Sequence, residues 1–269
     1  MPSIQIMHHN IHYDVRGEEN RPVLLLHSTG VGSIQWKRFV RRLLPRKCLM
    51  LDCMGYPPSD AWKGKGAPDW RVDLEAARAI LLAQNSPVDI IGHSYGGHIG
   101  LHLAHDHPER VSRLALHEPI AWGILSASGP KPIQADFKAL VQRFFPATPL
   151  PPEDWLRHFV DYWNAPGVWD ALATSRKDAW RQRYPKIFSE VRHLCFDPCT
   201  LEYWAEIQHP VLLTLSEHAP SHEVVVCELL NKTLPQCQLK HTPGGHMAPL
   251  THGADVLPLL AAAVSHDPL

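Results

Sequence analysis

Ile90-Ile91-Gly92-His93-Ser94-Tyr95-Gly96-Gly97 is the stretch on which the reading of this chain turns. A short apolar run, Val88-Asp89-Ile90-Ile91, reads as a buried strand, and it breaks abruptly into Gly92-His93-Ser94-Tyr95-Gly96. The segment from Tyr95 to His107 then reads as a helix stopped by Pro108. A serine on so sharp a strand-to-helix turn needs a strained backbone. Small flanking residues are needed too, because a side chain at Gly92 or Gly96 would meet neighbouring backbone. Such a turn lifts the Ser94 hydroxyl clear of the sheet and aims the Tyr95 amide where an oxyanion would form.

Working outward, the chain alternates strand and helix. Ile4 to Val15 alternates apolar and polar residues around His9-Asn10, which predicts an antiparallel edge hairpin. Val23 to His27 is an apolar run suited to a strand buried on both faces. The loop His27-Ser28-Thr29-Gly30-Val31-Gly32 follows. A helix with Trp36, Phe39, Val40, Leu43 and Leu44 inward and Ser33 as N-cap comes next. Cys48 to Cys53 gives another strand, and Asp69 caps a helix with Trp70, Leu74, Ala77 and Leu81 inward. After the Ser94 turn comes the strand Val111 to Glu118, ended by Pro119. The order β-α-β-α-β-α-β marks a parallel sheet with helices on both faces.

From Pro119 to about Gln208 the character changes. Six of the nine tryptophans lie here, and apolar residues recur at helical spacing, as in Trp155-Leu156-Phe159-Val160-Trp163. Ten Lys/Arg balance ten Asp/Glu in this stretch, which leaves no net charge to steer an ionic substrate. The α/β pattern resumes with Val211 to Leu215, a helix from about Ser221 to Leu234, a strand near Gln238-Leu239-Lys240, the loop Thr242 to Met247, and a last helix after His252. The division expected is a core of residues 1–118 and 209–269 with an all-helical lid at 119–208.

Composition narrows the function classes. The chain has 269 residues, a net charge of -1 and no run of Lys/Arg, which argues against nucleic acid as a partner. No apolar run approaches the roughly 20 residues that span a bilayer, and Met1 to Asn10 lacks a signal-peptide core, so a soluble cytoplasmic protein is expected. Six irregularly placed cysteines read as reduced thiols. Cys195 and Cys199 lack a second pair for zinc. His98, His102 and His105 share a helical face, a coincidence readily produced by nineteen histidines, so neither metal nor cofactor is expected.

With its His27-Ser28-Thr29-Gly30 loop, Gly92-His93-Ser94-Tyr95-Gly96-Gly97 turn and Gly245-His246 near the C-terminus, the chain resembles the α/β-hydrolase family with a helical cap. The resemblance covers essentially the whole chain. It implies an α/β fold with a mostly parallel eight-stranded sheet and a helical cap inserted after strand six. It also implies Ser94 as nucleophile, His246 as its base, and an oxyanion hole of the Thr29 and Tyr95 amides. His93 adjoins the nucleophile and should point away from it. Family members with an aspartate nucleophile, the dehalogenases and epoxide hydrolases, are excluded by Ser94.

Most relatives place the catalytic acid shortly after the seventh strand, but the equivalent stretch here is Ser216-Glu217-His218-Ala219, with alanine where the carboxylate should stand. Glu118, at the end of the sixth strand and held extended by Pro119, takes the acid's place in a minority of relatives. Glu217 and Asp197 are the alternatives. The activity implied is hydrolysis of a small to medium, mainly apolar carboxylic ester through an acyl-Ser94 intermediate. The expected partner is the ester itself, with Trp122 and Trp36 lining its site, and the sequence is compatible with a homodimer without fixing the oligomeric state. A C–C bond hydrolase of diketones is the competing enzyme reading, although Ile99-Gly100-Leu101 lacks the Arg-bearing polar pocket usual near the elbow helix of those relatives. A ligand receptor on the same fold is the third.

Overall fold

The computed structural model describes residues 2 to 265, so Met1 and 266–269 of the expected core fall outside the described residues. Eight strands form one sheet in the order β1-β2-β4-β3-β5-β6-β7-β8. They are β1 (Ser3–Ile6), β2 (His9–Arg16), β3 (Glu19–Leu26), β4 (Arg46–Leu51), β5 (Val88–His93), β6 (Val111–His117), β7 (Val211–Ser216) and β8 (Cys237–Thr242). The first two pair antiparallel, and β2 runs antiparallel to β4. Every other pairing is parallel. The hairpin turns at Met7-His8, and His9 and Asn10, read as the break, lie inside β2 and pair with Ile6 and Gln5.

Period-two alternation along β3 sends its side chains to two cores. Leu24 and Leu26 pack with Val72 and Ile80 of α1 (Arg71–Leu82) and Ile99 of α2 (Tyr95–Asp106). Val23 and Leu25 face the opposite side, with Trp36, Phe39 and Leu260 of the C-terminal helix Gly253–Val264. Residues buried on both faces explain why these strands read as unbroken apolar runs.

The helix expected over Ser33 to Leu44 is two 3₁₀ turns, Ser33–Trp36 and Phe39–Arg42, and Gly32 rather than Ser33 occupies the N-cap position. Apolar residues at 36, 39, 40 and 43 satisfy three residues per turn as well as 3.6. Trp70 rather than Asp69 occupies the N-cap position of α1, and the Asp69 carboxylate, one residue earlier, accepts the Arg71 amide at 3.0 Å.

Between β6 and β7 the described residues form helices and no strand: α3 (Gly123–Ser128), α4 (Lys131–Phe144), α5 (Pro152–Trp163), α6 (Val168–Ala171), α7 (Thr174–Cys195) and α8 (Leu201–Trp204). Their aromatic rings pack against one another, as Trp155 does on Phe159 at 5.4 Å. After β7 come α9 (Ser221–Thr233), α10 (Ala248–Thr251) and α11 (Gly253–Val264). Among the described residues no helix is long and apolar enough to cross a membrane.

Candidate active site

The parallel strands deliver their C-terminal ends to one edge of the sheet, where such sheets bind ligands. There β3 leads into Ser28 to Gly30, β5 into Ser94, β6 into Glu118 and β8 into the loop that carries His246. Ser94 has φ 56° and ψ -118°, a backbone that costs an L-residue about 1–3 kcal/mol and is kept because its surroundings dictate it. A Cβ at Gly92 would sit 2.8 Å from the Gly96 carbonyl oxygen, and one at Gly96 would strike the Leu26 backbone. Both glycines are therefore demanded by close backbone approach, as the sequence indicated. The Ser94 amide donates to the His117 carbonyl (3.0 Å), and its own carbonyl accepts from His98 and Ile120.

His246 Nδ1 lies 2.7 Å from Glu118 Oε2. The other oxygen of Glu118 accepts the Ser216 amide at 2.8 Å, so the seventh strand contributes a backbone donor and the sixth the carboxylate. Glu118 is fully buried. Its backbone is not extended as expected before a proline: φ is 41°, and its amide donates to the Thr214 carbonyl at 3.1 Å. Pairing with the β7 edge outweighs the local preference. Glu217 is exposed, and among the described residues only its backbone is engaged, its amide donating to the Thr242 carbonyl. Asp197 sits with His98, His102 and His193.

Burial governs the protonation of this layer. It pushes His246 down to about 3, so the ring is a neutral base at rest, and it raises the Glu118 carboxyl, against which the His117 ring and the Ser216 amide pull the other way. Burial, then the neighbouring His246, pushes His93 well below the usual histidine range. Neutral His93 bridges two halves of the site: Gln35 Nε2 donates to its Nδ1 (3.0 Å), and its Nε2 donates to the His246 carbonyl (2.8 Å). Both of its ring nitrogens are thus engaged by groups other than the Ser94 hydroxyl. Gln35 also accepts the Ser28 amide at 3.1 Å.

That contact sorts the loop amides. Ser28 donates to Gln35, Gly30 to the Tyr56 hydroxyl and Val31 to the Ser28 carbonyl, which leaves the Thr29 amide uncommitted among the described contacts. Tyr95 opens α2, where a first-turn amide has no partner within the helix. Behind the loop, the Tyr56 hydroxyl donates to Glu190 of α7 (3.0 Å). Lys186 of α7 pairs with Glu190 at 3.1 Å and with Asp73 of α1. Burial alone would lower the Lys186 ammonium, but Asp73 and Glu190 raise it above its usual value. The sequence offered no signal for this buried network, because its two halves, Tyr56 with Asp73 and Lys186 with Glu190, are more than a hundred residues apart.

Ser28, Thr29, Ser94 and His246 open into a cavity of about 350 Å³, closed by Phe159, Trp163 and Trp180 from the helices between β6 and β7. Neither tryptophan expected at the substrate lines it. Trp36 is fully buried in the core on the far face of the sheet, against Phe39. Trp122 is fully buried behind the wall, its indole N–H on Glu223, and it stacks on Trp163. Trp163 and Trp180 are the tryptophans that line it, and the Trp163 ring lies 3.8 Å from that of His246. Sequence proximity to Glu118 favoured Trp122, but that proximity puts it at the root of the segment. Arg176, also unanticipated, stands exposed at the cavity rim and has no ion-pair partner among the described residues.

Comparison with known proteins agrees with this architecture. The family model described as alpha/beta hydrolase fold matches residues 21–252. The 2-hydroxy-6-oxononadienedioate/2-hydroxy-6-oxononatrienedioate hydrolase 1 of Pseudomonas putida is 34% identical over 115 residues, 40% of this chain and 39% of that protein. The match thus spans well under half the length of that relative. Among solved structures, MGS-M2, an alpha/beta hydrolase enzyme from a Medee basin deep-sea metagenome library, superposes with TM-score 0.73 at 17% identity, covering 100% of this chain and 98% of that one. A variant of the meta-cleavage product hydrolase CumD does so with TM-score 0.69 at 16% identity, over 97% and 96%. At those identities the likeness shows the fold. With the family model covering residues 21–252, this chain belongs to the α/β hydrolase fold family.

Proposed function

We propose that the chain is a serine hydrolase that cleaves a small, mainly apolar carboxylic ester through an acyl-Ser94 intermediate. Residues 119–208 serve as the lid over a core of 1–118 and 209–269. The observation that carries the reading is the convergence, in one cavity, of a serine held at positive φ and a neutral histidine paired at 2.7 Å with a buried carboxylate. A serine hydroxyl is a weak nucleophile and needs such a base, and the base needs an acid to fix its tautomer.

In this mechanism His246 Nε2 takes the Ser94 proton as the oxygen attacks the ester carbonyl. Glu118 stabilises the imidazolium, and the Tyr95 and Thr29 amides receive the oxyanion. Collapse expels the alcohol, which leaves with the proton from His246. Water activated by the same histidine then releases the acid. The cavity volume of about 350 Å³ lies at the small end of ligand sites, and its aromatic wall suits an apolar acyl group.

A C–C bond hydrolase is the second reading. Arg176 at the rim favours it, because an unpaired guanidinium receives a carboxylate such as the acids named for the Pseudomonas putida relative carry. Water would then add across a bond between a ketone carbon and its neighbour, giving a carboxylic acid and a protonated carbon leaving group.

The test sets p-nitrophenyl esters of graded length against a 2-hydroxy-6-oxo dienoic acid, with fluorophosphonate labelling alongside. Ester turnover at least tenfold above that of the diketone, in kcat/KM, supports the first reading. The reverse order, with Arg176→Gln raising KM for the acid alone, supports the second. No label at Ser94 removes both and leaves a ligand receptor.

A further inference from the structure

A second cluster lies along the elbow helix, and none of its residues lines the cavity. His98 and His102 stand one turn apart on α2 and share a face, as residues four apart on a helix do. His193 projects from the last turn of α7, and Asp197 follows two residues beyond that helix. One ligand atom from each of the four lies within 4.8 Å of every other. We propose that His98, His102, His193 and Asp197 form a structural zinc site that staples the helical segment to the core.

The donor set has the right chemistry. Zinc takes four ligands from imidazole nitrogen, thiolate and carboxylate oxygen, and structural sites are closed by protein ligands alone. His98 Nδ1 donates to the Ile120 carbonyl at 2.9 Å, which leaves the Nε2 lone pair free and fixes the ring, the usual arrangement behind a metal-bound histidine. That Nε2 lies 2.9 Å from His193 Nε2, so without a metal one proton must sit between two nitrogens that both have lone pairs to offer. Zinc replaces that proton, and His193 carries its own on Nδ1 instead.

Two further atoms point to a missing partner. His102 Nε2 and Asp197 Oδ2 are buried and have no hydrogen-bond partner among the described residues, although their residues are only 7% and 6% exposed. Buried polar atoms in folded proteins are as a rule hydrogen-bonded, so two unpaired ones at one place call for a partner. The other oxygen of Asp197 accepts the Cys199 amide at 3.3 Å, which orients the carboxylate.

Aromatic rings wall the cluster. Trp70 stacks on His193 at 3.8 Å, and Trp204 meets His102 edge-on at 5.0 Å. His105, which shares the helical face in the sequence, is excluded. It bonds Asp106 at 2.8 Å and stacks on Tyr203.

The site would brace the elbow without entering the chemistry. The His98 amide donates to the Ser94 carbonyl at 3.0 Å, and Ile120, whose carbonyl holds the His98 ring, donates to the same carbonyl at 3.3 Å. A metal here would pin α2, the Glu118 to Ile120 crossover and the end of α7 together.

The experiment treats the purified protein with a chelator, dialyses it, and titrates in buffered Zn²⁺ or Co²⁺. The expected result is one equivalent bound, a cobalt visible spectrum of tetrahedral intensity, and a Tm about 5 °C higher at a free zinc level of 100 times Kd. His193→Gln and Asp197→Asn should each weaken binding at least 100-fold, while His105→Gln leaves it within twofold. A parent that shows no stoichiometric tetrahedral cobalt spectrum overturns the proposal, whatever the variants do. Equal binding by Asp197→Asn and the parent also overturns it. If His193→Gln fails to fold, the parent spectrum and the Asp197 variant decide.

Discussion

Replacing Glu118 by glutamine separates the carboxylate's chemistry from its shape. Its Oε1 accepts the Ser216 amide at 2.8 Å, and its Oε2 faces His246 Nδ1 at 2.7 Å. An amide of the same outline keeps one contact only. If its oxygen stays on Ser216, its NH₂ meets His246 Nδ1, and the ring must move its proton to Nε2, where it no longer accepts one from Ser94. If the amide flips, two donors meet at Ser216, and a buried backbone N–H is left unpaired at about 1–3 kcal/mol. The working tautomer is thus depopulated roughly 10- to 100-fold. Losing the charge-assisted bond to the imidazolium, about 1.5–3 kcal/mol, removes a further 10- to 100-fold.

The product is a fall in kcat of about 10² to 10⁴. Stability should not fall with it. Burial raises the folded-state pKa of Glu118, so folding favours its neutral form, and the stability it contributes is lost as pH rises through that value. A neutral amide removes that liability at pH 7. The assay is kcat and KM on a p-nitrophenyl ester beside a thermal melt, with Glu217→Gln as the exposed comparison. A Glu118→Gln enzyme within fivefold of the parent, or impairment confined to Glu217→Gln, refutes the reasoning.

Ser94→Ala should keep the parent Tm within about 2 °C and lose on the order of 10⁴-fold or more in kcat; turnover within tenfold of the parent would exclude an acyl-Ser94 intermediate. Trp163→Ala, which opens the cavity wall against His246, should move the ester chain-length optimum upward. Trp36→Ala should cost about 3–5 kcal/mol in a denaturant titration and leave the chain-length profile unchanged. Buried His93, His117 and His246 have depressed pKa values, so the unfolded chain binds more protons below its ordinary histidine pKa and stability falls with pH. Between pH 7 and 5.5 the three together should remove about 4 kcal/mol, less what Glu118 returns. Tm measured at both pH values checks this, and an unchanged Tm contradicts it. Catalysis by His246 itself should persist to pH 5, because its folded-state value lies near 3.

Much of this protein is local and so was legible in one dimension. Gly92 announces a tight turn because a side chain there would meet backbone only four residues on, at Gly96, whereas the collision that requires Gly96 is with β3, at Leu26. Period-two and apolar runs mark β3, β5, β6 and β7 because each strand meets the same buried surroundings along its length. Glu118 was singled out from its place at a strand end, and the structure pairs it with His246. The extended backbone expected there failed, because contact with β7 lies 96 residues away in sequence, at Thr214. The choice among tryptophans was tertiary too. Trp36, Trp122 and Trp163 have the same composition signal, and only the crossing of α5 over the strand ends puts the third against His246. The histidine face on α2 needed α7 before it became a cluster. His98 and His102 are visible as a four-residue spacing, but His193 and Asp197 arrive from about ninety residues further on. Residue spacing carries what neighbours along the chain impose, and convergence of distant segments is decided only when the sheet edge and the helices close over it.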